Sequence, residues 1–212
     1  MASNSLIQSG VYGVLDGLDG AGKGLVLEAL KQLYPQTIPG VQSDTVEMYY
    51  TREPGGTDLS ETLRGLILNT PMDPVTEFFL FLAQRKETRG FIGQLIKKGV
   101  SVISDRSDSS TFAFQIYGRR LHRVEDIFWR TRNLLEPNPD FYIFLDLPAE
   151  VAEERRFARR GQGGASDRID SLSIDFHKRV QEGFRRFAEK SETECIFVDA
   201  LPAPDVVAKN VI

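Results

Sequence analysis

Short apolar runs with β-strand character alternate along the chain with segments whose apolar residues recur at helical spacing. Leu59, Leu63 and Leu66, for example, fall on one face of a helix. Strands that alternate with helices favour a parallel sheet with helices on both faces, so the pattern predicts an α/β fold with three layers, α/β/α. We predict five strands in a mainly parallel sheet, at Gly10–Asp16, Thr45–Thr51, Val100–Asp105, Phe141–Leu147 and Cys195–Asp199.

Length and composition narrow the class of protein. The chain has 212 residues, so we expect residues 1–212 to form a single domain. Its 26 Lys and Arg against 30 Asp and Glu give a net charge of −4, which argues against non-specific nucleic-acid binding. The single cysteine, Cys195, excludes an internal disulfide framework. Met1–Gly10 lacks a signal-peptide pattern and no apolar run is long enough to span a bilayer, so we expect a cytoplasmic protein without a membrane partner.

The segment Gly17–Lys23, GLDGAGK, fills every position of a phosphate-binding loop pattern except the last. In such a loop, backbone N–H groups bent round by glycines surround a phosphate, and the lysine adds a positive charge. Gly24 stands where the pattern has Ser or Thr, whose hydroxyl usually binds Mg²⁺. Asp19 would repel phosphate unless a cation lies beside it, although a helix cap is the alternative. The alternative is a glycine-rich turn that binds no ligand, but it does not explain the conformational cost of several glycines in one short loop.

Several charged residues follow predicted strands, at the edge where parallel sheets bind ligands. Asp16 and Asp105 end the first and third strands, Arg52 follows the second in TREPGGT, and Arg106 follows the third in SDRSD. Arginine suits a phosphate monoester because its planar fork offers paired donors. A surface ion pair is the alternative for each arginine.

Two further segments could complete such a site. In the apolar run FFLFLAQR, Phe81 and Arg85 are four residues apart and therefore share a helix face. On that face the Phe81 ring could stack on a base and Arg85 could donate a hydrogen bond to it. The alternative is that the ring belongs to the hydrophobic core. Arg155 and Arg159 are also four apart and precede the glycine-rich GQGGAS, which indicates a mobile lid at about residues 153–168. Because the variable residues of the phosphate loop include no basic side chain, the lid arginines could stabilise a transferring phosphoryl group. A solvated surface helix is the alternative.

Taken in order, the motifs GLDGAGK, TREPGGT, FLFLAQR, SDRSDSSTFAFQ and DRID resemble the thymidylate kinase family over about Val11–Asp199. TREPGGT together with the following Leu59–Arg64 is specific to that family, whereas the phosphate loop and the DR pair occur in nucleoside kinases generally. The resemblance implies the P-loop NTPase fold with a mobile lid, ATP as phosphoryl donor, dTMP as acceptor and a homodimer.

The resemblance also implies roles for individual residues. ATP would bind at Gly17, Leu18, Asp19, Gly20, Ala21, Gly22, Lys23 and Gly24. The acceptor would bind at Arg52, Phe81, Arg85, Asp105, Arg106, Ser110, Phe114 and Gln115, with Arg52 and Arg106 at the monophosphate, Phe81 against thymine and Arg85 at a base carbonyl. Catalysis would rest on Lys23, Asp19, Arg106, Arg155 and Arg159. Since Gly24 has no hydroxyl, Mg²⁺ would rest on phosphates, waters and the carboxylates of Asp19 and Asp105.

The sequence therefore predicts transfer of the γ-phosphoryl group of ATP to dTMP, which forms dTDP for dTTP biosynthesis. Phe114 stands where the family often has Tyr near the sugar, so discrimination against ribose would be relaxed or would depend on packing alone. One alternative is a kinase for another nucleoside monophosphate or for a nucleoside. The other is a nucleotide-binding module that has lost catalysis, which Gly24 would suggest.

Overall fold

The computed structural model describes residues 9–36, 47–161 and 173–211. A five-stranded sheet forms its centre, with strands in the order β2-β3-β1-β4-β5, and every neighbouring pair is parallel. The strands are β1 Tyr12–Gly17, β2 Met48–Arg52, β3 Ser101–Asp105, β4 Phe141–Asp146 and β5 Glu194–Asp199. The prediction of five parallel strands is confirmed. Observed ends differ from the predicted ones by a few residues, and the predicted start of the second strand at Thr45 lies outside the described residues.

β1 lies in the middle of the sheet, and all six of its residues are buried. Gly13 allows this close packing, because a Cβ atom there would lie 2.4 Å from the Phe141 ring and 2.9 Å from the Ile103 side chain. At least one helix connects each strand to the next strand in the sequence, as parallel pairing requires. The central position of β1 places the phosphate loop that follows it in the middle of the ligand-binding edge.

Eight α-helices are present in the described part of the chain. They are α1 Lys23–Leu33, α2 Asp58–Asn69, α3 Pro74–Ile96, α4 Asp108–Thr111, α5 Glu125–Arg132, α6 Ala149–Gly161, α7 Ile174–Lys190 and α8 Pro204–Val211. The connection from β1 to β2 crosses the sheet in one direction, and the later connections cross it in the opposite direction. Because such crossovers are right-handed, α1 lies on one face of the sheet and α2–α7 lie on the other. α8 packs against α1. The molecule thus has the three-layer α/β/α architecture predicted from the sequence.

Aromatic rings fill the space between the sheet and α7. Phe187 of α7 packs edge-on against Tyr142 of β4, with ring centroids 5.0 Å apart, and against Phe112 at 5.7 Å. Phe128 and Phe144 are buried in the same cluster. Edge-to-face aromatic pairs add about 0.5–1.5 kcal/mol each beyond the area that they bury.

A π-helix, Phe112–Gly118, follows α4 directly and packs against α7. The two backbones approach so closely that a Cβ atom on Gly183 would lie 2.7 Å from the Cα atom of Ala113. π-Helical turns are rare and frequently occur at functional sites, because they rotate the following side chains relative to an α-helix. This one carries Phe114 and Gln115, two of the predicted acceptor residues.

The long helix α3 places charge inside the protein. Asp73 caps its first turn by accepting from the N–H groups of Val75 and Thr76, and Pro74 occupies its first position. Four ionisable or amide side chains on its buried face have at most 1 % of their surface exposed: Glu77, Gln84, Arg85 and Arg89. Such side chains require partners inside the protein. No helix of the described residues has the length and apolar character needed to cross a membrane.

Candidate active site

A cavity of about 900 Å³ opens at the carboxyl edge of the sheet. It is lined on one side by the phosphate loop and α1, and on the other by residues that follow β2 and β3 and by the buried face of α3. Almost all the described residues predicted for the site line this cavity: Asp19, Gly20, Gly22, Lys23, Gly24, Arg52, Phe81, Arg85, Asp105, Arg106, Ser110, Phe114, Gln115 and Arg155. Leu18 and Ala21 are instead buried in the core, so only their backbones are available to a ligand.

The backbone of the phosphate loop has the curvature that its glycines allow. Gly17, Gly20 and Gly22 have φ angles of 138°, 93° and 95°, which other residues rarely adopt. Gly22 directly precedes α1 and provides no side-chain cap, so the first N–H groups of this helix are open to an anion. A Cβ atom on Gly24 would have no atom within 4 Å, so the structure leaves room for a side chain there.

Lys23 lies at the base of the loop and is 7 % exposed. Its Nζ atom donates to the carbonyl oxygens of Gly17 and Leu18, at 3.1 and 3.0 Å, and lies 4.0 Å from the Asp19 carboxylate. Burial and the nearby guanidinium of Arg106 lower the pKa of Lys23 below its usual value. In this position the ammonium group is fixed beside the place where the loop would hold a phosphate.

Arg106 is surrounded by acceptors. Its guanidinium donates to the carboxylates of Asp16 and Asp19 and to the hydroxyl of Ser110. Burial alone would raise the pKa of Asp19, but Arg106 and Lys23 outweigh that effect and hold it well below its usual range. Arg106 also has a φ angle of 68°, a left-handed conformation that is uncommon outside glycine, and its guanidinium lies 5.2 Å from the centre of the Phe114 ring.

Asp16 is a site residue that the predicted list of ligand-binding residues did not contain. It is fully buried and accepts from the backbone N–H of Gly17 and the hydroxyls of Ser109 and Ser110, at 2.8, 2.6 and 2.8 Å. Burial raises the pKa of Asp16, although Arg106 favours its charged form. Its place at the carboxyl end of a central strand was the signal for it. Asp16 therefore joins β1 to Arg106 and to the helix that follows β3.

Asp105 at the end of β3 has a buried oxygen, Oδ1, without a hydrogen-bond partner. A buried acceptor with nothing bound to it is costly, and it suits a cation or a water held by a cation. Asp19, the other predicted metal ligand, already accepts from Arg106. The part of the chain that the structure describes contains no group of three His, Cys, Asp or Glu side chains that could hold a metal ion by themselves.

Arg52 lines the edge of the cavity and forms an ion pair there. Its Nη2 atom lies 2.9 Å from both carboxylate oxygens of Glu61 in α2. Glu61 also accepts from the N–H of Gly56 at 3.0 Å, and this bond together with Arg52 lowers the pKa of Glu61. About half of each paired side chain is exposed, so the pair itself contributes little to stability.

The opposite end of the cavity contains Phe81 and Arg85. Arg85 is 1 % exposed, and its Nε atom donates to Glu53 at 2.7 Å. Its Nη2 atom donates to the carbonyl of Ser107 at 3.1 Å and to the hydroxyl of Thr111 at 2.8 Å. The remaining nitrogen, Nη1, is buried and has no partner. One nitrogen of a buried guanidinium is thus left as an unused donor in a cavity lined by an aromatic ring.

Gln115 lies at the same end and is 2 % exposed. Its Nε2 atom donates to Glu77 at 3.1 Å, and Glu77 also accepts from Nε and Nη2 of Arg119, at 2.9 and 3.2 Å. Glu53 and Glu77 were not predicted as site residues. Their partners are 32 and 38 residues away in the sequence, so no local pattern identifies them.

The predicted lid arginines have different surroundings. Arg155 lines the cavity, but its guanidinium donates to the carbonyls of Ala200 and Leu201, which follow β5, at 2.9 and 3.1 Å. The side chain of Arg159 and the lid residues beyond 161 lie outside the described residues. The neighbouring Arg156, which was not predicted, is 3 % exposed, lies 2.7 Å from Nε2 of His177, and contributes to the low pKa of Asp19.

Comparisons with known proteins identify the family of the chain. The family model described as "Thymidylate kinase" matches residues 15–211. A thymidylate kinase of Prochlorococcus marinus is 35 % identical over 210 residues, which cover 95 % of this chain and 90 % of that protein. A thymidylate kinase of Chlorobium limicola is 31 % identical, with 93 % and 90 % covered, and one of Parasynechococcus marenigrum is 36 % identical, with 92 % of each covered. The chain belongs to the thymidylate kinase family.

Proposed function

We propose that the protein transfers the γ-phosphoryl group of ATP to dTMP and forms dTDP. The observation that carries this proposal is a single cavity with a phosphate loop at one end and the unused Nη1 donor of Arg85 at the other. A nucleoside monophosphate would lie between Phe81 and the loop, both of which line this cavity. The names of the relatives support the same reaction.

The donors and acceptors at the base end favour thymine. Arg85 can offer only N–H groups to a ligand, and the base edge of thymine has a carbonyl oxygen at C4 that would accept from it. Cytosine has an amino group at C4 instead, so its N–H donors would face the N–H donors of Arg85. A site built to hydrogen-bond a substrate rejects analogues that leave buried polar groups unpaired.

The acceptor end requires no general base. The second ionisation of a phosphate monoester lies near pH 6, so the attacking oxygen is already mostly an anion at neutral pH. We infer that Arg106 and Arg52 bind the acceptor phosphate and that Lys23 binds the donor phosphates beside it. Arg106 is fixed by Asp16 and Ser110, so little side-chain freedom is lost when substrate binds. The work of this site is positioning and charge neutralisation, as in other phosphoryl transfers.

We infer that Mg²⁺ takes part, as the family implies. The unpartnered Oδ1 of Asp105 fits a cation or its water, and Asp19 lies close to the same phosphates. Mg²⁺ commonly needs only one or two carboxylates because it keeps several waters and binds substrate phosphates. When bound, it would neutralise charge on the phosphoryl group that is transferred.

Three further proposals concern larger parts of the molecule. We infer that residues 1–212 act as one domain, with a lid at about residues 153–168 that brings Arg155 and Arg159 to the phosphates.

We also infer a cytoplasmic homodimer. Phe112 and Phe114 are buried within the protomer, whereas Phe79, Leu59 and Leu66 on α2 and α3 are exposed and could be covered by a second copy. Sedimentation velocity would measure the oligomeric state.

A coupled assay of ADP release with dTMP, dUMP, dCMP, dGMP and thymidine tests the proposed reaction. We expect dTMP to give the highest kcat/KM and thymidine to give no turnover, because the arginines need an acceptor phosphate. Lys23→Ala should lower kcat by at least about 100-fold, since one charged donor to the reacting group is removed. Its circular dichroism spectrum should be unchanged. Nucleotide binding without diphosphate formation at any Mg²⁺ concentration would instead indicate an inactive binding module.

A further inference from the structure

The carboxylate of Glu77 determines which atom of the Gln115 amide faces the cavity. Glu77 pairs with the guanidinium of Arg119 through two nitrogen atoms and is fully buried. An ionised carboxylate offers only acceptors, so Gln115 must turn its NH₂ group toward Glu77. The opposite orientation would place the amide oxygen against a carboxylate oxygen, and neither atom could donate a hydrogen bond. The amide oxygen of Gln115 is therefore the atom left for a ligand.

The carboxylate of Glu53 has the corresponding effect on Arg85. It accepts from Nε at 2.7 Å and is 3 % exposed, while Ser107 and Thr111 occupy Nη2. These three partners fix the plane of the guanidinium and leave Nη1 as its one unused nitrogen. The cavity thus receives a donor from Arg85 and an acceptor from Gln115.

This pair of atoms is complementary to one class of pyrimidine. Thymine and uracil present an acceptor at O4 beside a donor at N3–H, whereas cytosine presents a donor at N4 beside an acceptor at N3. We propose that Glu53 and Glu77 are positioning residues for base selection, because they fix the donor of Arg85 and the acceptor of Gln115 that admit a 4-keto pyrimidine and reject cytosine. The proposal rests on the proposed function, since it places the base at this end of the cavity.

Neither carboxylate needs to touch the nucleotide in order to act. Replacing Glu77 by Gln keeps its size but allows residue 77 to present either an oxygen or an NH₂ group to Gln115. The amide of Gln115 could then turn over and offer its NH₂ group to N3 of cytosine. A purely structural role for Glu77 would weaken the binding of all nucleotides alike, whereas this role changes their ranking.

Calorimetric titration of the full chain with dTMP and with dCMP, without ATP, tests the proposal. For Glu77→Gln we expect the preference for dTMP over dCMP to fall by about 10-fold, with weaker dTMP binding and tighter dCMP binding. For Glu53→Gln we expect the Kd of dTMP to rise by about 3- to 10-fold while that of dCMP stays the same, because Arg85 loses its charged partner. Glu182→Gln removes a surface carboxylate that pairs with Arg186 and should change neither value.

A folded Glu77→Gln variant that binds both nucleotides more weakly by one common factor would overturn the proposal. If that variant does not fold, an unchanged preference in Glu53→Gln would overturn it. Wild-type protein that binds dTMP in preference to dCMP but transfers no phosphoryl group would contradict the proposed function and leave this inference standing. Wild-type protein that binds both nucleotides equally would contradict the inference and leave phosphoryl transfer intact.

Discussion

At the scale of single residues, Arg106 is held in place by its neighbours. Its left-handed backbone turns the side chain back over β1, where Asp16, Asp19 and Ser110 accept from it. An uncommon backbone conformation of this kind costs about 1–3 kcal/mol and persists only where the surroundings impose it. The buried Asp16 carboxylate provides that constraint. The carboxylates of Asp16 and Asp19 also offset part of the repulsion between Arg106 and Lys23, although that repulsion still contributes to the lowered pKa of Lys23.

Gly24 tests how the metal is bound. Because a Cβ atom there meets nothing within 4 Å, Gly24→Ser should be accommodated and should add the hydroxyl that phosphate loops commonly have. We expect half-saturation at a several-fold lower Mg²⁺ concentration and a gain of about 0.5 kcal/mol in unfolding free energy from the first turn of α1. Kinetics at varied Mg²⁺ and urea denaturation would measure these effects.

Gly24→Ala is the matched control for that change. It should give a gain in stability that is at least as large, because alanine has the higher helix propensity. It should not change the Mg²⁺ dependence, because it adds no hydroxyl. An equal shift in Mg²⁺ dependence for both variants would mean that the backbone of this turn, and not the hydroxyl, limits metal binding.

Residues that belong to a short motif could be predicted at this scale, and the others could not. Lys23 follows from the loop pattern, and Arg52 and Arg106 follow from their places after strands. Glu53 and Glu77 act through partners more than 30 residues away, which only the fold brings together. A local sequence pattern predicts which functional group is present, but it does not predict the atom to which that group donates a hydrogen bond.

At the scale of elements, the contact between α7 and the π-helix makes a prediction about Gly183. Gly183→Ala would place a Cβ atom 2.7 Å from the Cα of Ala113, so we expect a loss of about 1–3 kcal/mol in unfolding free energy despite the better helix propensity of alanine. Displacement of the π-helix should also weaken dTMP binding, since it carries Phe114 and Gln115. Urea denaturation and calorimetry would measure the two effects.

Gly90→Ala in α3 is the control for that substitution. Its Cβ atom would meet nothing within 4 Å, so we expect about 0.5–1 kcal/mol of added stability from helix propensity alone and unchanged dTMP affinity. If Gly183→Ala were as stable as Gly90→Ala, the close approach of the two helices would not constrain the acceptor site.

The strands and most of the helices were predictable because their apolar residues recur with a simple period. The π-helix was not, since seven residues in Phe112–Gly118 are too few to establish an unusual period. The sequence placed Phe81 and Arg85 on one face of α3, but it did not identify Glu77 and Arg89, which are also buried. Charge on the buried face of a helix is stabilised by tertiary partners, which the periodicity of a single segment does not reveal.

At the scale of the whole molecule, Asp108 joins the helical layer to the sheet. It is 1 % exposed, lies 3.0 Å from Nη2 of Arg89 and 2.9 Å from Nε of Arg132, and accepts from the hydroxyl of Tyr142 at 2.6 Å. Burial alone would raise the pKa of Asp108, but the two guanidinium groups outweigh it and hold the pKa well below its usual range. The carboxylate thus connects α3, α4, α5 and β4.

Asp108→Asn should lower the unfolding free energy by about 3–5 kcal/mol at neutral pH, because two buried guanidinium groups lose their anion. The pKa of Asp108 is lower in the folded protein than in the unfolded chain, so its contribution is present above pH ~4 and is lost as the pH falls further. The difference between wild type and Asp108→Asn should therefore shrink on acidification. Urea denaturation at a series of pH values from 7 to about 3 would measure it.

The exposed Glu192→Gln variant controls for the loss of one negative charge and should follow the wild type at every pH. A stability difference between wild type and Asp108→Asn that stays constant down to pH ~3 would show that Asp108 is not an ionised partner of the two arginines.

The Arg52–Glu61 pair has a consequence for competition inside the cell. Among the described residues, six basic and four acidic side chains line the cavity. Glu61 and Asp16 pair with Arg52 and Arg106, so that the acidic side chains equal the basic ones in number. A site without excess positive charge should bind inorganic phosphate and sulfate poorly, because each would have to displace a carboxylate from an arginine. A nucleotide also gains contacts at the base end, which these small anions lack. Millimolar inorganic anions should therefore leave the acceptor site open to its substrate.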